Sequence, residues 1–420
     1  MASIPGVKRT WVVMVLMGGG LAASAWGESV TWEASVMQAG EQNAELRAAR
    51  ESVEAARATR NSRYSPFLPQ FTAALGYNYG EGATGGSRTY SASVTGTQNL
   101  FNGLGDRAQL DQASATLRQS EATLDQTRAR VSFDLRASYA GLLYAQRSVK
   151  LQEEIIRRRS DNLKLVQLRF ESGRENRGSA LLSQAYLNQA NYELLQAKHA
   201  ISTAQSQLAK ALGRDADAEL VASQDLPETD PPIVPDFRAA LGFTPEHRQS
   251  IAQEEAADAA VTAARAGFFP TLNLTATTGR TGDQWLPPDS RWSIGLSLSF
   301  PFFSGGRDYF GTRTALANYS AASLSRVSQD RQLVVKLKQT HAAFVEAVEK
   351  YKVDESFLAA AKSRAEIARN KYNNGLLSFD DWDIIENDLI SRQRSVLQSQ
   401  RERAQAEAAW YQALGQGVVP

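Results

Sequence analysis

The chain has 420 residues, and its 46 lysines and arginines nearly balance its 45 aspartates and glutamates, which gives a formal charge of +1. This balance gives no sign of a surface for nucleic acid. The absence of cysteine excludes a disulfide framework, a thiolate metal site, a cysteine nucleophile and acylation at a lipoprotein cysteine.

Residues 1–27 have the pattern of a secretory signal peptide. Lys8 and Arg9 form a basic region, and an apolar core follows up to the small residues Ala23-Ser24-Ala25, which suit a cleavage site. Cleavage after Gly27 fits the same pattern. An uncleaved membrane anchor is the alternative, although the apolar run is short for a membrane span. We therefore expect an exported protein, and no later run predicts a transmembrane helix.

The next segment predicts a helix over residues 28–63, rich in Ala, Glu and Arg, and then two strands at about 70–80 and 89–101. Apolar and polar residues alternate in both strands, and residues 80–88 form a glycine-rich loop between them. Residues 106–170 contain no proline and predict one continuous helix of about 100 Å. Its narrow apolar seam recurs every seven residues, at Leu110, Leu117, Leu124 and Val131. Such a seam is typical of a helix packed against another helix.

A tip at about residues 171–178 separates this helix from a second one, whose seam ends near Gly213. The two helices are expected to form an antiparallel hairpin, so residues 28–213 form a first structural repeat. The second seam consists of Leu187, Leu194, Ile201 and Leu208.

The same order recurs after a proline-rich crossover over residues 214–236. The second repeat, residues 237–420, begins with a predicted helix over residues 237–266. Adding 202 to a position in the first repeat gives its counterpart, so that Gly173 corresponds to Gly375. Its predicted strands are about 271–279 and 291–302, its long helix about 307–372 and its tip about 373–378. The chain is therefore a tandem duplication, and a duplication of this kind dictates the architecture.

The four predicted strands have the length and two-faced alternation of strands that cross an outer membrane. A soluble, half-buried sheet uses the same alternation, but it would need a helix on its apolar face, and the helical seams are already used for each other. Four strands cannot close a barrel, since the smallest have about eight. Several chains must share one barrel, and a trimer would supply twelve strands, although the residues alone do not choose three over two or four. The predicted class is an α+β membrane protein.

Several paired motifs carry a family resemblance. They are the helix-to-strand junctions FLPQFTAALGY at Phe67 and FFPTLNLTAT at Phe268, the strand-to-helix junctions NLFNGLGDR at Asn99 and PFFSGGRD at Pro301, and the tips LRFESG at Leu168 and NKYNNG at Asn370. In this order and spacing they resemble the TolC-type outer-membrane efflux protein family.

The resemblance implies a homotrimer in the cell outer membrane that extends into the periplasm, with a shared twelve-stranded β-barrel continued by a periplasmic α-barrel. Such a protein is a passive exit duct of a tripartite efflux pump or a type I secretion system. It is coupled through a periplasmic adaptor, a membrane fusion protein, to an inner-membrane transporter of RND or ABC type. No cofactor is implied.

An acidic cluster follows the second tip and includes Asp380, Asp381 and Asp383. In a symmetric trimer, one inward carboxylate per chain forms a ring that attracts cations, so we interpret the cluster as a periplasmic aperture. The resemblance supports Asp381, which matches a family aspartate in its offset from the tip glycine. The alternative is helix capping, which we favour for Asp380 and which is as well supported for Asp381.

Two positions depart from the family pattern. A second family aspartate is replaced by Ile384, and a family arginine is replaced by Leu377. The replacement of the arginine by Leu377 argues against an arginine-linked lock at the closed tip.

Both tips are expected to meet the adaptor, because a turn at the far end of a long duct is the surface that a partner can reach. The residues concerned are Gly173, Arg174, Gly375 and Ser378. Merely solvated turns are the alternative for each side chain.

Catalysis finds little support, since His199, His247 and His341 lie singly on predicted helices without the spacing of metal ligands. The predicted function is an outer-membrane export channel and not an enzyme. The alternative is a periplasmic coiled-coil adaptor or scaffold, which would have one hairpin flanked by compact β-domains.

Overall fold

The computed structural model describes residues 28–82, 85–233 and 235–420. The predicted signal peptide lies outside the described residues. The first repeat contains β1 (Glu28–Val30), α1 (Trp32–Gln42), α2 (Ala44–Ser62), β2 (Gln70–Gly82), β3 (Gly85–Asn102), α3 (Gly105–Glu171) and α4 (Arg177–Leu212). The crossover carries β4 (Leu220–Ala222). The second repeat contains α5 (Phe237–Leu241), α6 (Pro245–Arg265), β5 (Thr271–Gly282), β6 (Asp289–Ser299), α7 (Arg307–Asn373) and α8 (Phe379–Ala413).

The single helix predicted over residues 28–63 is wrong. Asn43 has extended backbone angles and divides it, because its side chain accepts hydrogen bonds from the amides of Glu45 and Leu46 and so caps α2. The same side chain donates to the carbonyl of Ala211 at 3.1 Å. A contact so distant in the sequence leaves no local signal, and it fixes the start of the chain to the end of α4.

Residues 28–30 and the crossover also meet in a short sheet that was not predicted. Strand β1 pairs in parallel with β4, with Glu28 opposite Leu220 and Val30 opposite Ala222. In the second repeat the helix predicted over residues 237–266 is divided into α5 and α6. Pro245 is the first residue of α6, where the missing N–H of proline costs nothing.

The four long strands form one antiparallel sheet in the order β2-β3-β5-β6. The register aligns the apolar residues of all four strands on one face, because Leu75 pairs with Ala92 in β3 and Ala276 pairs with Ile294 in β6. Leu75 is 89% exposed and Ile294 is 70% exposed. This apolar face is therefore uncovered by any described part of the chain.

The strand ends differ from the prediction in several places, and β5 runs to Gly282, three residues beyond its predicted end. Most of the segment predicted as a glycine-rich loop, residues 80–88, continues the pairing of β2 with β3. Strand β6 ends at Ser299, three residues before the predicted end. Pro301 follows, and proline has no backbone N–H to donate to a neighbouring strand.

The helices form two antiparallel hairpins, α3 with α4 and α7 with α8, and α3 also packs against α6 and α8. A second seven-residue series on α3 consists of almost fully buried alanines, at Ala108, Ala115, Ala122 and Ala129. Small side chains allow close approach of neighbouring helices. The stretch is joined to α6 by hydrogen bonds from Arg118 to Glu255 and from Gln126 to Gln249. Within the described residues, no helix combines the length and the apolar character needed to cross a membrane.

Candidate functional site at the hairpin tips

Both tips end their long helix with the same backbone turn. Gly173 and Gly375 have φ angles of +74° and +73°, in the left-handed region that favours glycine. Beyond each glycine, the amide of the next residue bonds back to the helix, from Arg174 to Arg169 at 2.8 Å and from Leu376 to Lys371 at 2.9 Å. This pattern is a Schellman motif, which satisfies carbonyls at the helix end and fixes the direction of the turn.

The second hairpin resumes at Ser378, which caps α8. Its hydroxyl accepts a hydrogen bond from the amide of Asp381 at 3.1 Å and donates to the carboxylate of Asp381 at 2.7 Å. Asp380 and Asp381 are both exposed, and the capping contact belongs to Asp381 rather than to Asp380. Both carboxylates are therefore available at the surface of the tip.

Asp383 has a different environment from the two exposed aspartates. It accepts hydrogen bonds from the hydroxyl of Tyr186 at 3.0 Å and from the amide of Asn387 at 2.9 Å, and Arg159 of α3 lies 3.6 Å away. Burial raises the pKa of Asp383 above its usual range, although these contacts oppose the rise. Asp383 thus joins the two hairpins to each other and is not part of an exposed rim.

One turn further along α8, Glu386 is 1% exposed. Arg158 of α3 forms a two-pronged hydrogen bond to both of its carboxylate oxygens, and the shared bond raises the pKa of Arg158. Asn162 donates to the same carboxylate at 3.3 Å. A buried acid is tolerated here because it is paired and hydrogen-bonded.

The tips themselves are joined through Tyr372, the fully buried tyrosine at the end of α7. Its hydroxyl donates to Glu175 in the first tip at 3.0 Å, and its carbonyl accepts from Arg169 at 2.7 Å. Burial and the bond to Glu175 raise the pKa of Tyr372, so the hydroxyl stays protonated and remains a donor. Trp382 stacks on the Tyr372 ring with 4.3 Å between centroids.

Sequence reasoning found the tip glycines and the acidic cluster but missed the basic and aromatic partners of the acids. The missed residues are Arg158, Arg159, Arg169, Tyr186 and Tyr372. The doubt about an arginine link rested on Leu377, which packs against the apolar cluster around Trp382. The arginines that join the hairpins come from α3 instead. In hindsight, the run Arg157-Arg158-Arg159 on a helix with a narrow seam was the available signal.

In the described residues, histidines and acids do not gather into a group of three or more that could hold a metal ion. His247 contacts Asp330 at 2.7 Å, and His341 contacts the carbonyl of Pro232 at 2.8 Å. Both histidines thus have structural partners far from the tips.

Comparison with known proteins gives concordant results. The sequence pattern of the outer membrane efflux protein family matches residues 36–214 and 238–416, one match per repeat. The probable outer membrane lipoprotein SilC of Salmonella typhimurium is 22% identical over 394 residues, 90% of this chain and 84% of that protein. The alkaline protease secretion protein AprF of Pseudomonas aeruginosa is 30% identical over 195 residues, 42% of this chain and 39% of that protein.

Among solved structures, that of the outer-membrane channel OprN superposes with a TM-score of 0.83 at 23% identity, covering 92% of this chain and 90% of that chain. The fold is therefore shared over nearly the whole described chain. The predicted α+β class and the predicted family are both confirmed.

Proposed function

Because the chain belongs to the outer membrane efflux protein family, we propose that three copies assemble into one exit duct that crosses the outer membrane and continues through the periplasm. The protein is an outer-membrane efflux channel and not an enzyme. The observation that carries the shared barrel is the four-stranded sheet, whose outer strands β2 and β6 have no further partner among the described residues. Open strand edges are not tolerated in lipid, so copies must complete the barrel.

The apolar face of the sheet supports the same assembly. It is exposed in the single chain, and a lipid-facing surface is the environment that suits it. Three sheets of four strands give twelve, which is within the size range of outer-membrane barrels. Helices α3 and α7 have 67 residues each, or about 100 Å, and so extend the duct far beyond the membrane.

Channels of this family work with an adaptor and an inner-membrane transporter. We infer that the adaptor contacts both tips of this chain, at Gly173, Arg174, Gly375 and Ser378, where side chains and turns are exposed. The transporter is of RND or ABC type. The similarity to AprF, a secretion protein, favours a secretion assembly, and the match to the efflux protein family favours an efflux assembly, so both kinds of transporter are retained.

The exposed carboxylates of Asp380 and Asp381 form the cation-attracting aperture in this proposal. Asp383 was predicted to share that role, but its bonds to Arg159 and Tyr186 support a role in holding the hairpins together. Near the tips, the contacts from α3 to α8 keep the second hairpin against the first.

The experiment that tests the assembly is the mass of the detergent-extracted membrane protein, measured by light scattering and corrected for bound detergent. We expect a trimer in the outer-membrane fraction and ion conductance after reconstitution into a planar bilayer. A soluble monomer in the periplasmic fraction would contradict the shared barrel and support the adaptor alternative. A dimer or tetramer from the outer membrane would retain the channel and correct the number of chains.

A further inference from the structure

Among the described strands, three charged residues lie on the apolar face of the sheet, and one of them, Arg280, has no acid at its paired or diagonal positions. The other two are nearer the loop, where Arg88 pairs with Tyr79 and Glu81 is diagonal to Arg88. In β5, Arg280 shares this face with Leu272, Leu274 and Ala276, because side chains alternate along a strand. The register confirms the placement, since Arg280 pairs with Ala92 of β3 and Ser290 of β6. Its side chain is exposed, and it forms no ion pair with any described residue.

Aromatic and hydroxylated residues lie beside Arg280 on that face, together with the apolar Ala92 and Val94. Tyr90 and Trp292 are its diagonal neighbours, because they lie two residues from its partners in β3 and β6. Trp292 is 81% exposed. Together with Ser290, these residues place a guanidinium, an indole N–H and hydroxyl groups around one patch. Each of these groups can donate a hydrogen bond.

The patch lies at the hairpin end of the sheet. Arg280 is eight residues beyond Leu272, which is about 27 Å along the strand and about 20 Å in height for a tilted strand. This height is close to that of the lipid-facing band of an outer-membrane barrel, about 25 Å. An arginine is poorly tolerated on the lipid face near the membrane centre but is well tolerated at its boundary. Arg280 therefore lies where lipid headgroups begin.

We propose that Arg280, with Ser290 and Trp292, binds the phosphate group of an outer-leaflet lipid. This inference depends on the proposed membrane-spanning function of the sheet. The guanidinium offers parallel N–H groups that match two phosphate oxygens, and the charge-assisted bonds are strengthened where water is scarce. The flanking aromatic rings suit the boundary between acyl chains and headgroups. In a trimer, the barrel would carry three such sites.

Arg291 provides a matched control on the adjacent strand. It pairs with Gly279 and therefore lies on the opposite, polar face of the sheet. Asp289 is two residues away on the same face, so Arg291 also has an acid nearby. The two arginines thus share residue type, sheet and approximate height and differ in the face they occupy.

The experiment compares full-length wild type, Arg280→Gln and Arg291→Gln in detergent, with diphosphorylated lipid A as the probe and native mass spectrometry as the readout. Bound lipid A should fall by about fivefold in Arg280→Gln, the loss expected for one exposed charge-assisted contact, and should be unchanged in Arg291→Gln. Arg280→Lys should recover part of the binding, since lysine keeps the charge without the planar fork. Equal lipid retention in all variants, or equal loss in both glutamine variants, would overturn the proposal.

Two further measurements distinguish failure of the phosphate-binding inference from failure of the proposed channel function. The fully dephosphorylated glycolipid should bind wild type and Arg280→Gln alike, whereas a difference there would assign the contact to the sugar or acyl chains and overturn phosphate binding. Conductance and trimer mass are measured for every variant. Wild-type protein that conducts but does not prefer the phosphorylated lipid would overturn only this inference, whereas wild-type protein that neither conducts nor forms an oligomer would overturn the proposed function.

Discussion

Glu386 illustrates how one buried carboxylate couples two helical hairpins. It is paired with Arg158 of α3 through both oxygens, and its remaining hydrogen-bonding capacity is used by Asn162. The Arg158 side chain is 28% exposed, so the pair is only partly shielded from water. The contact therefore contributes more than a surface ion pair but less than a fully buried one.

The variant Glu386→Gln should weaken the attachment of the second hairpin to the first. The amide is neutral and leaves the Arg158 guanidinium without its counter-charge, so we expect the opening free energy of this region to fall by about 2 kcal/mol. Hydrogen–deuterium exchange of peptides around residues 155–165 and 380–390 measures this directly. Glu349→Gln is the control, because its pair with Lys352 is about 60% exposed on both sides and should contribute almost nothing. Equal protection from hydrogen–deuterium exchange in the two variants would contradict the role of Glu386 in attaching the second hairpin to the first.

Leu104 marks a limit of sequence reasoning at this scale. It precedes α3 with a φ angle of +70°, the one positive value found at a described residue other than glycine. The corresponding position of the second repeat is Gly306, which adopts the same left-handed region without strain. Pattern reasoning located both junctions from their glycines. A leucine gives no such signal, since the conformation is imposed by the surrounding junction.

The long helices and their ends were predictable because their signals are local. A proline-free run, a seven-residue seam and a terminal glycine are sufficient to place α3 within one residue at either end. The breaks at Asn43 and before Pro245 were missed, because one depends on a contact with α4 and the other on a short loop. The buried alanine seam was missed for another reason, since alanine occurs on all helix faces and carries little periodic signal.

The tips are the elements on which the adaptor proposal can be tested. The chain contains no cysteine, so Arg174→Cys introduces a single thiol at the exposed first tip. With a photoactivatable maleimide in intact cells, we expect cross-linking to a periplasmic adaptor identified by mass spectrometry. Lys150→Cys is the control, because it is also exposed on the first hairpin but lies about 30 Å above the tip. Cross-linking of the adaptor at both sites, or at Lys150→Cys alone, would show that the docking surface is not confined to the tip.

At the level of the whole molecule, several bonds between the hairpins join nearly equivalent positions of the two repeats, although Arg158 and Glu386 are 228 residues apart. The repeats are offset by 202 residues. Sequence separations are 203 between Arg169 and Tyr372, and 201 between Tyr186 and Asn387. The hairpins therefore lie side by side with their tips at the same level. The duplication could be predicted from the sequence, but the residues that bond across the two hairpins could not. An offset between similar segments does not indicate which residues are in contact.

In the proposed trimer, Asp381 would lie at the end of the duct, where three chains would present three carboxylates. In Asp381→Asn the amide oxygen can still accept the Ser378 hydroxyl, so the start of α8 should be preserved while the charge is lost. We expect the ratio of cation to anion permeability to fall by about twofold or more, because a ring of like charges at a constriction concentrates cations.

The reversal potential across a planar bilayer in a salt gradient measures this ratio. The gradient should be set at low ionic strength, because the screening length is only about 8 Å at 0.15 M. Asp161→Asn is the matched control, since it removes an equally exposed carboxylate from α3, about 15 Å above the first tip. A reduced preference in Asp381→Asn alone would place its charge at the aperture. An unchanged reversal potential, with α8 intact by hydrogen exchange, would leave Asp381 with the capping role and require the cation preference to arise from Asp380 or from higher in the duct.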